Sequence, residues 1–154
     1  MKLQSLDYNS LPGISQRVFS SLSYYDDLLG QKGLEERSHL SSQACRILQR
    51  CIGRSDFQTM SIVTGGADAG FIVSRNWSKR CREVFWLVVF QDFKRKGLAK
   101  FAMLETTASI KHSFLTVHPK NAPAIRLYQS IGFEPTSKMT KRHVLPRQYF
   151  VKST

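Results

Sequence analysis

Hydrophobic positions along this chain recur at two different periods, and the alternation between the periods divides it into helical and extended stretches. Residues 1–6 alternate weakly and predict a first strand. Across residues 7–22, Leu11, Ile14, Val18 and Leu22 fall at helical spacing with Phe19 beside them. Pro12 suits the first turn of that helix. Gly30 and Gly33 interrupt the chain. Residues 36–52 predict a second helix that places Ala44, Ile47, Leu48 and Cys51 on one face, with Gly53 at the C-terminal cap position.

The period then shortens. Residues 57–64 and 69–75 read as strands around the turn Gly65-Gly66-Ala67-Asp68, which predicts an antiparallel hairpin. Residues 76–82 form a polar, basic loop. Residues 84–90 are apolar throughout, the pattern of a strand buried on both faces. Residues 97–111 return to helical spacing with Leu98, Phe101, Leu104 and Ala108 inward, and residues 114–117 are a short strand. Residues 121–131 predict a helix carrying Ala124, Leu127, Tyr128 and Ile131 on one face. Asn121 is its cap, Pro123 lies in its first turn and Gly132 ends it. Residues from 133 onward and 143–152 supply closing strands. The order β-α-α-β-β-β-α-β-α-β-β predicts a mixed α/β domain around one central sheet.

A chain of 154 residues, 42% hydrophobic and 22% charged, is expected to form one domain over 1–154. No apolar run approaches the roughly 18 residues that span a bilayer. The first seven residues lack the apolar core of a signal peptide. Cys45, Cys51 and Cys81 form no paired motif, so reduced thiols and a cytoplasmic location are expected. Charge changes the picture more. The formal net charge is +12, yet residues 1–68 carry seven basic and seven acidic residues. Residues 69–154 hold the other 16 basic residues against four acidic ones. That half attracts anions, whether a phosphorylated cofactor, a nucleic acid or an acidic surface.

The apolar run ends in Gln91-Asp92-Phe93-Lys94-Arg95-Lys96-Gly97-Leu98-Ala99-Lys100, which leads into a helix. The first N–H groups of a helix have no intrahelical partner, and the helix dipole adds positive potential there. Gly97 and Ala99 let a phosphate approach the backbone, and Lys94, Arg95, Lys96 and Lys100 surround it with charge. A basic loop with one glycine is by itself as consistent with a solvated turn.

A second segment narrows the choice. The run Leu115-Thr116-Val117-His118-Pro119-Lys120-Asn121-Ala122-Pro123-Ala124-Ile125-Arg126-Leu127-Tyr128-Gln129-Ser130-Ile131-Gly132-Phe133-Glu134 resembles the closing signature of the GNAT (Gcn5-related N-acetyltransferase) superfamily. In that signature Asn follows a strand, Ala comes three residues later, Tyr seven later, and Gly-Phe follows the helix. The loop at residues 94–99 resembles the family's Arg/Gln-x-x-Gly-x-Gly/Ala acetyl-CoA motif. The likeness covers residues 83–134, and its C-terminal part looks most like ribosomal-protein N-terminal acetyltransferases.

The resemblance implies a mostly antiparallel sheet flanked by helices, acetyl-CoA as cosubstrate, and transfer of its acetyl group to an amine by direct attack on the thioester. It implies that backbone amides of Arg95, Lys96, Gly97, Leu98, Ala99 and Lys100 hold the pyrophosphate. The backbone of Leu87, Val88 and Val89, splayed from its neighbouring strand, would pair with the pantetheine arm. Asn121 would bond near that arm or fix its loop. Tyr128 would protonate the departing thiolate; its alternative is a core aromatic with a satisfied hydroxyl.

Lys94 stands where the family has Arg or Gln, and is expected to contact phosphate as a point charge. Glu83 is the candidate general base, against the alternatives of a solvated strand-end carboxylate or a relay through water. His118 is another candidate base, but it follows the strand at residues 114–117 and reads rather as a structural or exposed loop histidine. The acceptor is expected to be an amine of a protein, an aminoacyl-tRNA or a small molecule, and the charge of residues 69–154 favours an acidic macromolecule, a protein or an RNA-linked amine. The loop at residues 76–82 joins Trp77 to Lys79, Arg80 and Arg82, with Lys138, Lys141, Arg142 and Arg147 beyond. The competing reading is a GNAT-like module that uses the basic half to bind nucleic acid.

Overall fold

The computed structural model describes residues 1–141 and 145–154. Seven strands form one sheet in the order β1-β2-β3-β4-β5-β7-β6. They are β1 Lys2–Ser5, β2 Phe57–Thr64, β3 Ala67–Asn76, β4 Cys81–Val89, β5 His112–Val117, β6 Glu134–Met139 and β7 Gln148–Ser153. Every neighbouring pair is antiparallel except β4–β5. Among the described residues four α-helices cover the sheet: α1 Ile14–Ser21, α2 Tyr24–Ile52, α3 Leu98–Thr107 and α4 Ala122–Ser130. The order of elements is the expected one. Residues 143 and 144, assigned to the last strand from sequence, lie outside the described residues, as does Arg142.

Two apolar layers hold the sheet. On one face Leu6, Val18, Leu48, Phe71, Val73 and Val88 pack with α1 and α2. On the other, Ile62, Ile72, Leu98, Met103, Leu115 and Phe150 pack with α3 and α4. Alternation along β3 sends Phe71 and Val73 to the first layer and Ile72 to the second, as the pleat requires.

The N-terminal helices differ in detail from expectation. The Asp7 carboxylate accepts from the N–H groups of Asn9 and Ser10 and holds residues 8–10 in a 3-10 turn. Gly13, at φ 75°, then starts α1 at Ile14, so Pro12 precedes the helix. The second helix begins at Tyr24, not residue 36. Gly30 breaks it with φ 65° and ψ −145°. Gly33 does not break it: a Cβ there would lie 2.1 Å from the Tyr25 carbonyl oxygen, so this glycine lets two turns of backbone cross closely.

The strand read as buried on both faces does pack into both layers, Val84 into the second and Val88 into the first, with one exception. Val84 and Val88 are buried, but Phe85 is 44% exposed. A bulge explains it: Val73 pairs with Trp86 and Ser74 with Val84, leaving Phe85 as the extra residue. The next helix is rolled relative to its predicted face and ends at Thr107. Ala102, Met103, Thr106 and Thr107 face inward with Leu98, while Leu104 is exposed. The small Ala102 and the flexible Met103 fit a helix lying close on β3 and β4 better than Phe101 and Leu104 would.

Candidate active site

Strands β4 and β5 run parallel over only three pairs, Cys81 with His112, Arg82 with Ser113 and Glu83 with Phe114. Beyond them the strands part. Leu87, Val88 and Val89 stay paired to β3 through Ile72, Phe71 and Gly70, so among the described residues their other backbone edge has no strand partner. A Cβ on Gly70 would come 2.1 Å from the Val88 carbonyl oxygen, so a glycine is what lets β3 hold β4 through this stretch.

A groove of about 590 Å³ runs along the β4 edge left free by the parting. One wall is the β4 edge at Leu87, Val88 and Val89. The floor is the loop entering α3, and the far wall is the start of α4. In the loop Arg95 takes φ 64° and Gly97 φ 77°, two left-handed turns that aim the chain into α3. Gly97, at the cap of α3, has no side chain to bond the first turn, and the first intrahelical bond runs from the Phe101 N–H to the Gly97 carbonyl. The N–H groups of Leu98, Ala99 and Lys100 therefore face the groove end without helical acceptors.

Of the residues singled out from the sequence, Leu87, Val88, Val89, Lys94, Arg95, Gly97, Leu98, Ala99, Lys100, Asn121 and Tyr128 all line this groove. Lys96 does not; its ammonium lies 5.4 Å from the Phe93 ring. Lys94 lines the groove with its stem, but its ammonium donates to the Ser21 carbonyl at the C-terminus of α1. Burial and then Arg37 hold its pKa below the usual lysine range. Lys94 thus ties the loop to α1 through its ammonium. The Asn121 side chain accepts from the Ala124 N–H at 3.3 Å and caps α4.

Tyr128 is where this groove meets a smaller cavity of about 70 Å³ lined also by Tyr24, Tyr25, Trp86, Thr116, His118 and Arg147. Burial pushes the Tyr128 phenol up to about 12; Tyr25 adds to the shift and Arg147 works against it. The hydroxyl is fully protonated across the neutral range and is a donor there.

Glu83 joins neither opening, although its neighbours Val84 and Phe85 line the small cavity. Its carboxylate accepts from the Trp77 indole at 3.1 Å, and burial raises its pKa. The cations of the loop at residues 76–82 are partly engaged as well. Arg82 donates to the Thr106 carbonyl at the end of α3 and to Asn76, and Arg75 lies 4.0 Å over the Trp77 ring.

Sequence reading missed one cluster. The His118 ring lies 2.9 Å from a Glu36 oxygen, and Arg147 donates to the other Glu36 oxygen at 2.6 Å. His118 is buried, at 4% exposure. Burial works against the Glu36 charge, but the His118 and Arg147 bonds outweigh it and hold the carboxyl below its usual pKa. Glu36 stands 82 residues from His118 and 111 from Arg147, so no local pattern links the three.

Comparison with known proteins bears on the whole arrangement. Residues 23–133 match the model of the acetyltransferase (GNAT) family. The chain superimposes on a PaiA N-acetyltransferase from Thermoplasma acidophilum in complex with coenzyme A, at TM-score 0.79 and 18% identity over 99% of this chain and 98% of that one. An acetyltransferase from Thermus thermophilus is similar at TM-score 0.71 and 18% identity, over 99% and 96%. A GNAT acetyltransferase from Elizabethkingia anophelis with acetyl-CoA bound is similar at TM-score 0.56 and 12% identity, over 71% and 82%. No curated protein sequence matches the chain.

Proposed function

Since this chain belongs to the acetyltransferase (GNAT) family, we propose that it transfers the acetyl group of acetyl-CoA to an amine by direct attack on the thioester. The observation that carries the reading is the parting of β4 from β5, because it joins in one groove every feature an acyl-CoA needs. The unpartnered N–H groups at the head of α3 bind the pyrophosphate, with Arg95 and Lys100 beside them. The free edge of Leu87, Val88 and Val89 pairs with the amide groups of the pantetheine arm, as an added strand would. A groove of about 590 Å³ is of a size to hold such a ligand.

Tyr128 protonates the departing sulfur. A phenol raised to about 12 yields its proton only as another replaces it. The hydroxyl thus works as a relay between the attacking nitrogen and the sulfur rather than as a free acid. Glu83 serves less well as the base than its sequence position implies, since its carboxylate is turned to Trp77.

The acceptor we propose is an amine on a protein or other acidic macromolecule, supported by the concentration of basic residues in 69–154. The likeness of residues 121–133 to ribosomal-protein acetyltransferases belongs to α4, on the cofactor side, and carries no acceptor preference. The reaction is expected in the cytoplasm, within the single domain.

Calorimetric titration with acetyl-CoA, ADP and a short RNA at two salt concentrations tests the reading. Acetyl-CoA is expected to bind much more tightly than ADP and to keep its affinity in salt. Salt-sensitive RNA binding without acetyl-CoA binding would establish the nucleic-acid module instead.

A further inference from the structure

An amine reaches an acetylating enzyme largely as its ammonium ion when its pKa is near that of lysine, so attack on a thioester needs a proton acceptor. We propose that His118 is that acceptor for the attacking amine, held in the required tautomer by Glu36. The proposal rests on the acetyl-transfer reading above.

Place comes first. His118 lines the small cavity together with Tyr128, on the side away from the α3 loop. At about 70 Å³ the cavity takes an aminomethyl tip or a few waters, not a bulky group. The nitrogen that attacks and the sulfur that leaves would thus meet at Tyr128 from its two sides. Neither opening is lined by a carboxylate that sequence position offered as a base.

Tautomer follows from the partners. Glu36 is ionised, because its bonds to His118 and Arg147 keep its pKa low, so it only accepts. The Nε2 nitrogen, 2.9 Å from Glu36, must then carry the hydrogen. The lone pair is left on Nδ1, and that atom takes the proton. The carboxylate then stabilises the imidazolium that forms.

The charges around the ring permit this. Glu36 comes from α2 and Arg147 from the chain just before β7, and the two neutralise each other. Tyr25 on α2 meets the ring edge-on at 5.7 Å, and Tyr24 and Tyr128 share the cavity. All three phenols have raised pKa values and are neutral at pH 7. Among the described residues facing it, an imidazolium meets a neutralised ion pair and uncharged rings.

The step balances. Nδ1 takes one proton from the ammonium, and the freed lone pair forms the C–N bond at the thioester carbon. The tetrahedral adduct collapses and the C–S bond breaks. The sulfur takes the Tyr128 proton, and the phenolate recovers a second proton from the adduct nitrogen. His118 releases the first proton to solvent, leaving an amide, a thiol and one proton.

Two measurements test this. Nitrogen-15 spectra of the imidazole-labelled protein should show His118 as the Nε2–H tautomer at neutral pH; an Nδ1–H tautomer would overturn the proposal. The second is the pH dependence of kcat/KM at saturating acetyl-CoA. It uses whichever of three acceptors wild type turns over fastest: a peptide with a free α-amine, a peptide with a free lysine, or spermidine. His118→Gln keeps a hydrogen-bonding group toward Glu36. It should lose about 10²-fold or more in kcat/KM and lose the acidic limb, with acetyl-CoA affinity unchanged. Glu36→Gln removes the carboxylate that favours the imidazolium, so its acidic limb should move to lower pH. Variants that are less stable but keep the wild-type limb would reduce the cluster to a structural clamp. That result would leave the transferase reading intact, whereas absence of acetyl-CoA binding, or of turnover with all three acceptors, would remove that reading and the base together.

Discussion

Gly97 shows how much one residue would decide at the proposed cofactor site. Its φ of 77° belongs to the left-handed region, and nothing lies within 4 Å of where a Cβ would stand. An aspartate tolerates that conformation better than most residues, so Gly97→Asp should fold. Its carboxylate would face the pyrophosphate and compete for the same N–H groups. We expect acetyl-CoA affinity to fall by about tenfold or more, roughly 1.4 kcal/mol, in a calorimetric titration. Unchanged affinity would take the loop out of the cofactor site. Tyr128→Phe asks a different question, since it removes one oxygen and keeps the ring that packs 6.2 Å from Phe133. Acetyl-CoA affinity should hold while kcat drops by about 10²-fold. Full turnover would leave Tyr128 as packing. Both residues were legible in the sequence because each sits in a local run whose chemistry is backbone-deep: a glycine at a helix head, and a tyrosine seven residues after a cap. Lys94 could be singled out in the sequence, but its tie to α1 could not. Its partner, the Ser21 carbonyl, lies 73 residues away.

At the scale of elements, the sequence reads well where burial is one-sided and periodic and poorly where the backbone departs from ideal geometry. The hairpin of β2 and β3 and the α4 cap emerged close to expectation because turn glycines and an asparagine mark them. The bulge at Phe85 did not, since an uninterrupted apolar run looks alike with and without an extra residue. The start of the second helix was misplaced for a related reason. Two glycines three residues apart look equivalent in sequence, yet one bends the chain and the other admits a crossing backbone. Gly33→Ala separates them. The added methyl would meet the Tyr25 carbonyl oxygen at 2.1 Å and the Leu29 Cβ at 2.7 Å. Since backbone is the obstacle, we expect a loss of about 1–3 kcal/mol, seen as a lower denaturant midpoint. A midpoint equal to wild type would mean that the crossing relaxes freely.

For the whole molecule, topology determines what the sequence could not express. The small cavity takes its walls from α2, β4, β5, α4 and the chain entering β7, so its members are scattered over more than a hundred positions. Charge asymmetry was visible from the start, but its meaning was not. Two of the cations that seemed to offer a docking surface turn out to fasten the fold, Arg82 to the end of α3 and Arg147 to Glu36, and Lys94 of the glycine loop is tied to α1.

The parting of β4 and β5 also dictates an order of events. The groove and the small cavity are separate openings that share Leu22, Tyr24, Leu87, Asn121 and Tyr128 where they meet. None of the three cysteines lines either one. If the donor fills the groove and the acceptor the small cavity, as proposed above, the two need not take turns at one place, and no cysteine lines either cavity to hold the acetyl group in transit. Initial-rate plots at several fixed acceptor concentrations should therefore give lines that intersect. Parallel lines, with exchange of label between acetyl-CoA and free CoA in the absence of acceptor, would mean that the protein itself is acetylated on the way.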